Sequence, residues 1–200
     1  MSDRLQIGWG ESDITPATGR VELSGQYYRR LAAGIHSRLH APALVLTKGT
    51  ELAVMITLDT VDAPESLLRE AAAAIHTAIP AIPPEAVMLN AIHTHNAPYT
   101  QREGLFREWL PLEPDMVDPV EYVDFLTRQI VAAVTEAWNT RAPGGVAAGF
   151  GFARLGHCRR PVYTDGSAQM YGPTDCDDFV GLEAGEDSGV ELLFTCDAAG

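Results

Sequence analysis

The sequence predicts an α/β fold: a mixed sheet with at least one parallel βαβ unit, a hairpin at 42–58, and helices at about 64–79 and 119–140. Three observations carry this. Two β-rich runs flank a glycine turn, "PALVLTKGTELAVMITLD". A strongly periodic segment, "ESLLREAAAAIHTAI", then leads through "PAIPP" into the apolar run "AVMLNAI". Strand, helix and strand joined by short links form a βαβ unit, so strands 52–58 and 86–92 are expected to be parallel with a right-handed crossover.

Each element has its own reason. From Leu5 to Thr15, "LQIGWGESDIT" alternates apolar with small or polar residues and stops at Pro16, the period-two pattern of a strand. Residues 16–40 carry Gly19, Gly25 and Gly34 with little periodicity and read as a long ordered loop, a kind of segment that often has a function. Gly49 in "KGTE" supplies the permissive backbone of the hairpin turn. In the first helix Leu67, Leu68, Ala71, Ile75 and Ile79 recur at three-and-four spacing. Residues 100–118 read as a lid-like loop. From Pro119 the positions Val123, Leu126, Ile130, Val134 and Trp138 mark a core-facing helix stripe, with Pro119 acceptable in the first turn. "GGVAAGFGFARL" and "VELLFTCD" read as two further strands, and His76 reads as a surface residue of the first helix.

With 200 residues the chain suffices for one domain over 1–200, burying roughly 70% of its unfolded surface. The 14 Lys and Arg against 27 Asp and Glu leave a net charge of −13, which disfavours a nucleic-acid partner, because phosphate binding needs clustered cations. No apolar stretch reaches the roughly 18 residues of a membrane-spanning helix, so stable membrane insertion is not expected. "MSDRLQIGWG" lacks the apolar core of a signal peptide, which leads to an expectation of a cytoplasmic protein. Cys158, Cys176 and Cys196 form no C-x-x-C pair and read as free thiols. The oligomeric state is left open.

The chemistry concentrates in "EAVMLNAIHTHNAPY", residues 85–99. His93 and His95 follow the carboxyl end of a parallel strand, where open α/β sheets build their binding crevices. Residues i and i+2 of a strand point to the same face, so both imidazoles could reach one centre without any helical turn. Imidazole suits zinc, but a catalytic zinc takes three protein ligands and an open position. Spacing alone leaves two readings, metal ligands or solvated strand-end histidines. No acid follows the second histidine in "HTHNAP", unlike a metallo-β-lactamase-type site, and no repeated βα pattern suggests an amidohydrolase barrel.

Four stretches, in order, make the chain similar to the N-terminal part of the catalytic domain of the neutral/alkaline ceramidase family. "GWGESDITP" (8–16) resembles its opening strand, and "GIHSRLHAPALVL" (34–46) its Gly-Ile-His run into the hairpin. "VMITLD" (54–59) resembles its Asp-ended strand and "NAIHTHNAP" (90–98) its His-Thr-His-Ser-Gly-Pro signature, with Asn96 and Ala97 in place of Ser and Gly. The resemblance spans residues 8 to about 98, and more thinly 146–200.

It implies a zinc-dependent hydrolase of an N-acyl amide or lipid-like small molecule, with His93 as the zinc ligand and His95 beside it as the oxyanion donor. Arg159 or Arg160, in "GHCRRPVYTDGSAQMYG", would hold developing negative charge as a fixed donor fork. A second histidine, a glutamate and a tyrosine would complete the zinc set from later segments, so residues 1–200 would contain a partial site. His157 could be a ligand in a divergent site. Asp59, ending the neighbouring strand, could orient an imidazole through its second nitrogen, or be a turn carboxylate ahead of Pro64. His36 and Arg38 could line the same crevice, or His36 could be a structural hydrogen-bonding group. The other classes open are a non-catalytic or truncated family member and another H-x-H metallohydrolase such as a phosphoesterase.

Overall fold

A computed structural model of the chain describes residues 4–17, 20–102 and 111–199. It divides into two compact units, Met1–Gly145 with Asp197–Gly200, and Val146–Cys196.

In the first unit β1 (Gln6–Asp13), β2 (His40–Lys48), β3 (Glu51–Leu58) and β4 (Val87–Ala91) form a sheet in the order β4-β3-β2-β1. The predicted hairpin is β2 and β3, antiparallel from Ala43↔Ile56 to Lys48↔Glu51, with Gly49 at φ 56° in the turn. The predicted βαβ unit is also present. Helix α1 (Glu65–Ala78) connects β3 to β4, which pair in parallel from Val54↔Val87 to Leu58↔Ala91. β1 runs antiparallel to β2, and on its other edge Gln6 and Ile7 pair with Pro143 and Ala142, where β5 (Ala142–Phe152) begins.

The core follows from two stripes. Ala41, Ala43 and Val45 of β2 and Val54, Ile56 and Leu58 of β3 alternate onto one buried face, and Leu67, Ala71 and Ile75 of α1 pack into the same cluster. Helix α2 (Pro119–Asn139) adds Val123, Leu126, Ile130 and Val134, all buried as its stripe predicted. Trp138, expected in that core, is only partly buried, and the Arg141 guanidinium stacks 3.3 Å above its ring. The side chain of Asp118 caps α2 by accepting from Val120 N at 2.7 Å, and Pro119 occupies the first turn.

What the strand pattern did not reveal is how closely α2 approaches β1. A Cβ at Gly8 would lie 1.8 Å from the Ala137 carbonyl oxygen, and one at Gly10 2.1 Å from that of Ala133. The two glycines of "IGWGE" are therefore contact surfaces for helix backbone.

In the second unit the remainder of β5 lies beside β8 (Gly189–Asp197), the two strands predicted there. β6 (Pro161–Tyr163) and β7 (Phe179–Leu182) form a small antiparallel pair that the sequence pattern missed. They are short, irregular in register, and separated by polar and Gly-rich residues, so neither shows a period. Of the expected lid-like loop at 100–118, residues 103–110 lie outside the described residues.

Candidate functional site at the carboxyl ends of β3 and β4

The parallel pair delivers two loops to one place, residues 59–64 after β3 and 92–99 after β4. Ile92 N donates to Leu58 O at 3.1 Å and closes the gap between the strand ends. Within the first loop Thr60 is fully buried and its hydroxyl donates to Asp62 O at 2.8 Å. The Asp62 carboxylate in turn accepts from the hydroxyl of buried Thr100 and from Gln101 Nε2, at 3.1 Å for the latter. The β3 loop is thereby tied to the segment following the histidines.

The histidines reach each other by a route different from the expected one. β4 ends at Ala91, so period-two alternation does not place them. His93 instead adopts φ 65°, a left-handed conformation that histidine takes more readily than most residues. Its Nδ1 lies 2.6 Å from Val61 O. A carbonyl only accepts, so Nδ1 carries the proton and Nε2 presents a lone pair. That Nε2 is 3.4 Å from His95 Nε2, and the rings meet edge to face at 5.1 Å between centroids. Two nitrogens bound to one tetrahedral zinc at ~2.0–2.1 Å stand about 3.3 Å apart, so this separation also fits a two-histidine bite. Among the described residues no three His, Cys, Asp or Glu side chains converge as a metal site, and two imidazoles are fewer than the three protein ligands a catalytic zinc requires.

Residues 23–30 pack against the pair. Gln26 Nε2 lies 3.2 Å from His95 Nδ1, and Gly25, at φ 95°, presses its backbone on the same ring. Ser24 N donates to Ala97 O at 2.9 Å, Leu23 bridges Pro98, and Arg30 Nη2 donates to His95 O and, at 3.3 Å, to Asn96 Oδ1. Tyr99, beneath this turn, is buried, and burial pushes its phenol above the ordinary tyrosine range.

Thr94 and Asn96, alternating with the histidines, line a neighbouring cleft of about 540 Å³ together with Arg30, His36, Arg38 and Asp59. Asp59 is not on an imidazole. Its carboxylate accepts from His40 N at 2.9 Å, and the Val61 carbonyl holds His93 Nδ1. His36 Nδ1 lies 2.9 Å from Ser37 Oγ, and Arg38 pairs with Asp13 at 3.4 Å. His76, exposed as expected, also places Nδ1 2.8 Å from Ile82 O.

Arg159, Arg160 and His157 belong to the second unit. There Arg159 donates to the Tyr171 hydroxyl at 2.6 Å and lies 4.9 Å from that ring's centroid, with Tyr171 at φ 56°. Arg160 pairs with Glu183 at 2.8 Å, and His157 is exposed. The three cysteines are free, Cys158 half-buried and Cys176 and Cys196 exposed.

Sequence reasoning missed Gln26, Gly25, Val61 and the Asp62–Thr100 tie. Val61 acts through its carbonyl, which every residue has, so no side-chain signal could point to it. Gly25 gave a trace as an isolated glycine in an aperiodic loop.

No protein-family model matches the sequence, and no curated protein matches it. Solved structures do. Neutral ceramidase from Pseudomonas aeruginosa superposes over 100% of this chain with a TM-score of 0.72 at 22% identity, and a ceramidase complexed with C2 over 98% with 0.70 at 22%. The chain spans 30% and 29% of those proteins' lengths. From β1 to β8, this chain has the fold of a segment of a neutral ceramidase.

Proposed function

We propose that this chain contributes the zinc-binding strand end of a zinc-dependent hydrolase of N-acyl amides, ceramide-like lipids being the substrate class. The observation that carries the reading is His93. A backbone carbonyl fixes its Nδ1 proton, turning Nε2 outward as a ligand lone pair 3.4 Å from a second imidazole, in a segment with a ceramidase fold. Zinc held there would supply Lewis acidity toward an amide carbonyl. His93 Nε2 would be this chain's donor to the metal, and His95 Nε2 would donate a hydrogen bond to the developing oxyanion. The 3.4 Å separation also supports a second arrangement in which both histidines bind the metal.

The test uses the longest natural protein that contains this segment. Elemental analysis should find zinc, and hydrolysis of an N-acylsphingosine should fall by more than about 100-fold in His93→Ala, beyond the effect typical of a residue outside the ligand shell. Metal-free protein whose activity is indifferent to His93→Ala would end the proposal. Cleavage of phosphoesters with N-acyl amides untouched would replace it with the phosphoesterase reading.

A further inference from the structure

We infer that Gln26 is a positioning residue that sets the tautomer of His95, so that only one of the two histidines offers a lone pair to a cation. The assignment of roles rests on the proposed function; the tautomer rests on geometry alone.

The segment carrying Gln26 is fixed on both sides. Leu23 N donates to Arg30 O at 2.8 Å, closing the loop 23–30 on itself, and Ser24 and Leu23 bond to the turn at Ala97 and Pro98. Gly25 then makes the approach possible. At φ 95° it occupies backbone space that favours glycine, and a Cβ there would lie 2.7 Å from both Cγ and Nδ1 of His95. Gln26 follows with its amide nitrogen 3.2 Å from Nδ1.

An amide nitrogen donates and cannot accept, so with the Gln26 amide turned this way His95 Nδ1 is the acceptor. The neutral ring then carries its proton on Nε2. Val61 imposes the opposite arrangement on His93, with the proton on Nδ1 and the lone pair on Nε2. The two Nε2 atoms 3.4 Å apart are therefore a donor facing an acceptor. They stand at a zinc bite distance with one lone pair between them. A glutamate at position 26 would reverse this. Its carboxylate would accept from Nδ1–H, send the lone pair to Nε2, and turn the pair into a two-nitrogen chelate. Gln26 thus selects a ligand-plus-donor pair over a two-ligand pair.

Long-range ¹H–¹⁵N correlation spectra of the metal-stripped chain, labelled at histidine and recorded where the shifts no longer move with pH, test this directly. The expected result is His93 protonated on Nδ1 and His95 on Nε2. Gln26→Glu should move the His95 proton to Nδ1 and leave His93 unchanged, while Gln26→Leu should leave His95 as a mixture. Titration with Zn²⁺ alone should show Gln26→Glu binding about tenfold more tightly than wild type, with the gain lost when His95→Ala is added. Wild-type His95 protonated on Nδ1, or Gln26→Glu with an unmoved tautomer, would overturn the inference. These readouts need no turnover, so absence of amidase activity would remove the proposed function and leave the tautomer result standing.

Discussion

The two units share a chain and differ in what their strands bury. In the first, β2 and β3 lay alternate aliphatic residues against α1 and α2, and Leu126, Ile130 and Val134 are fully buried. In the second, among the described residues, Phe150, Phe152, Val180, Leu182, Leu192 and Phe194 are all exposed, Phe152 by 79%. The residue types are as apolar in one as in the other. Hydrophobic composition becomes stability only where a second layer covers the strand, because the gain scales with area removed from water.

Glycine substitutions break that comparison most sharply. Gly10→Ala drives a methyl into the Ala133 carbonyl and should cost about 3 kcal/mol or more by urea unfolding, since neither backbone can yield. Gly151→Ala, with nothing within 4 Å of its added Cβ, should stay within about 0.5 kcal/mol. Equal costs at the two positions would mean that α2 does not lie on β1.

Truncating the apolar side chains comes next. Leu126→Ala should lose ~2–5 kcal/mol through lost burial and the cavity it leaves. Phe152→Ala should change stability by less than about 0.5 kcal/mol in this chain. A large loss at Phe152 would show that its face is covered in solution.

A smaller effect is an alkaline pH dependence of the first unit. The Tyr122 hydroxyl donates to Ile14 O at 3.0 Å inside the first unit, and burial, reinforced by Asp13, drives its phenol far above the ordinary range. The unfolded chain ionises this tyrosine near pH ~10 while the folded chain keeps the proton. The stabilisation is therefore complete below pH ~10 and is lost above it, by up to about 1.4 kcal/mol per pH unit. Tyr122→Phe should flatten that alkaline slope and cost about 1 kcal/mol at neutral pH for the missing hydrogen bond. An unchanged slope would place the ionising group elsewhere.

The smallest expected change is at the surface of α1. Glu65 and Arg69 form an i,i+4 pair at 2.5 Å with both side chains about three-quarters exposed. Arg69→Ala should cost no more than about 0.5 kcal/mol, a difference that 1 M salt erases. A larger, salt-independent loss would point to packing by the arginine stem.

The legible part of the molecule is the part with a period. The β2–β3 hairpin, the parallel β3–β4 pair, α1 and α2 each carry an apolar repeat that matches their geometry, and Gly49, Asp118 and Pro119 punctuate them chemically. β6 and β7 carry no repeat and were missed. In the site, the residue types of His93 and His95 and their position after a parallel strand were readable. The means of bringing them together was not, since it depends on a positive φ at His93 and on hydrogen bonds to residues 32 and 69 positions away in the chain.

By itself, then, the sequence determined which segments become strands and helices and which two imidazoles lie at the strand ends, because both follow from local pattern and chain order. The tertiary structure alone decided which nitrogen each imidazole presents. Val61 and Gln26 make that decision from distant loops, and a proton's position on a ring is fixed by the partner it faces.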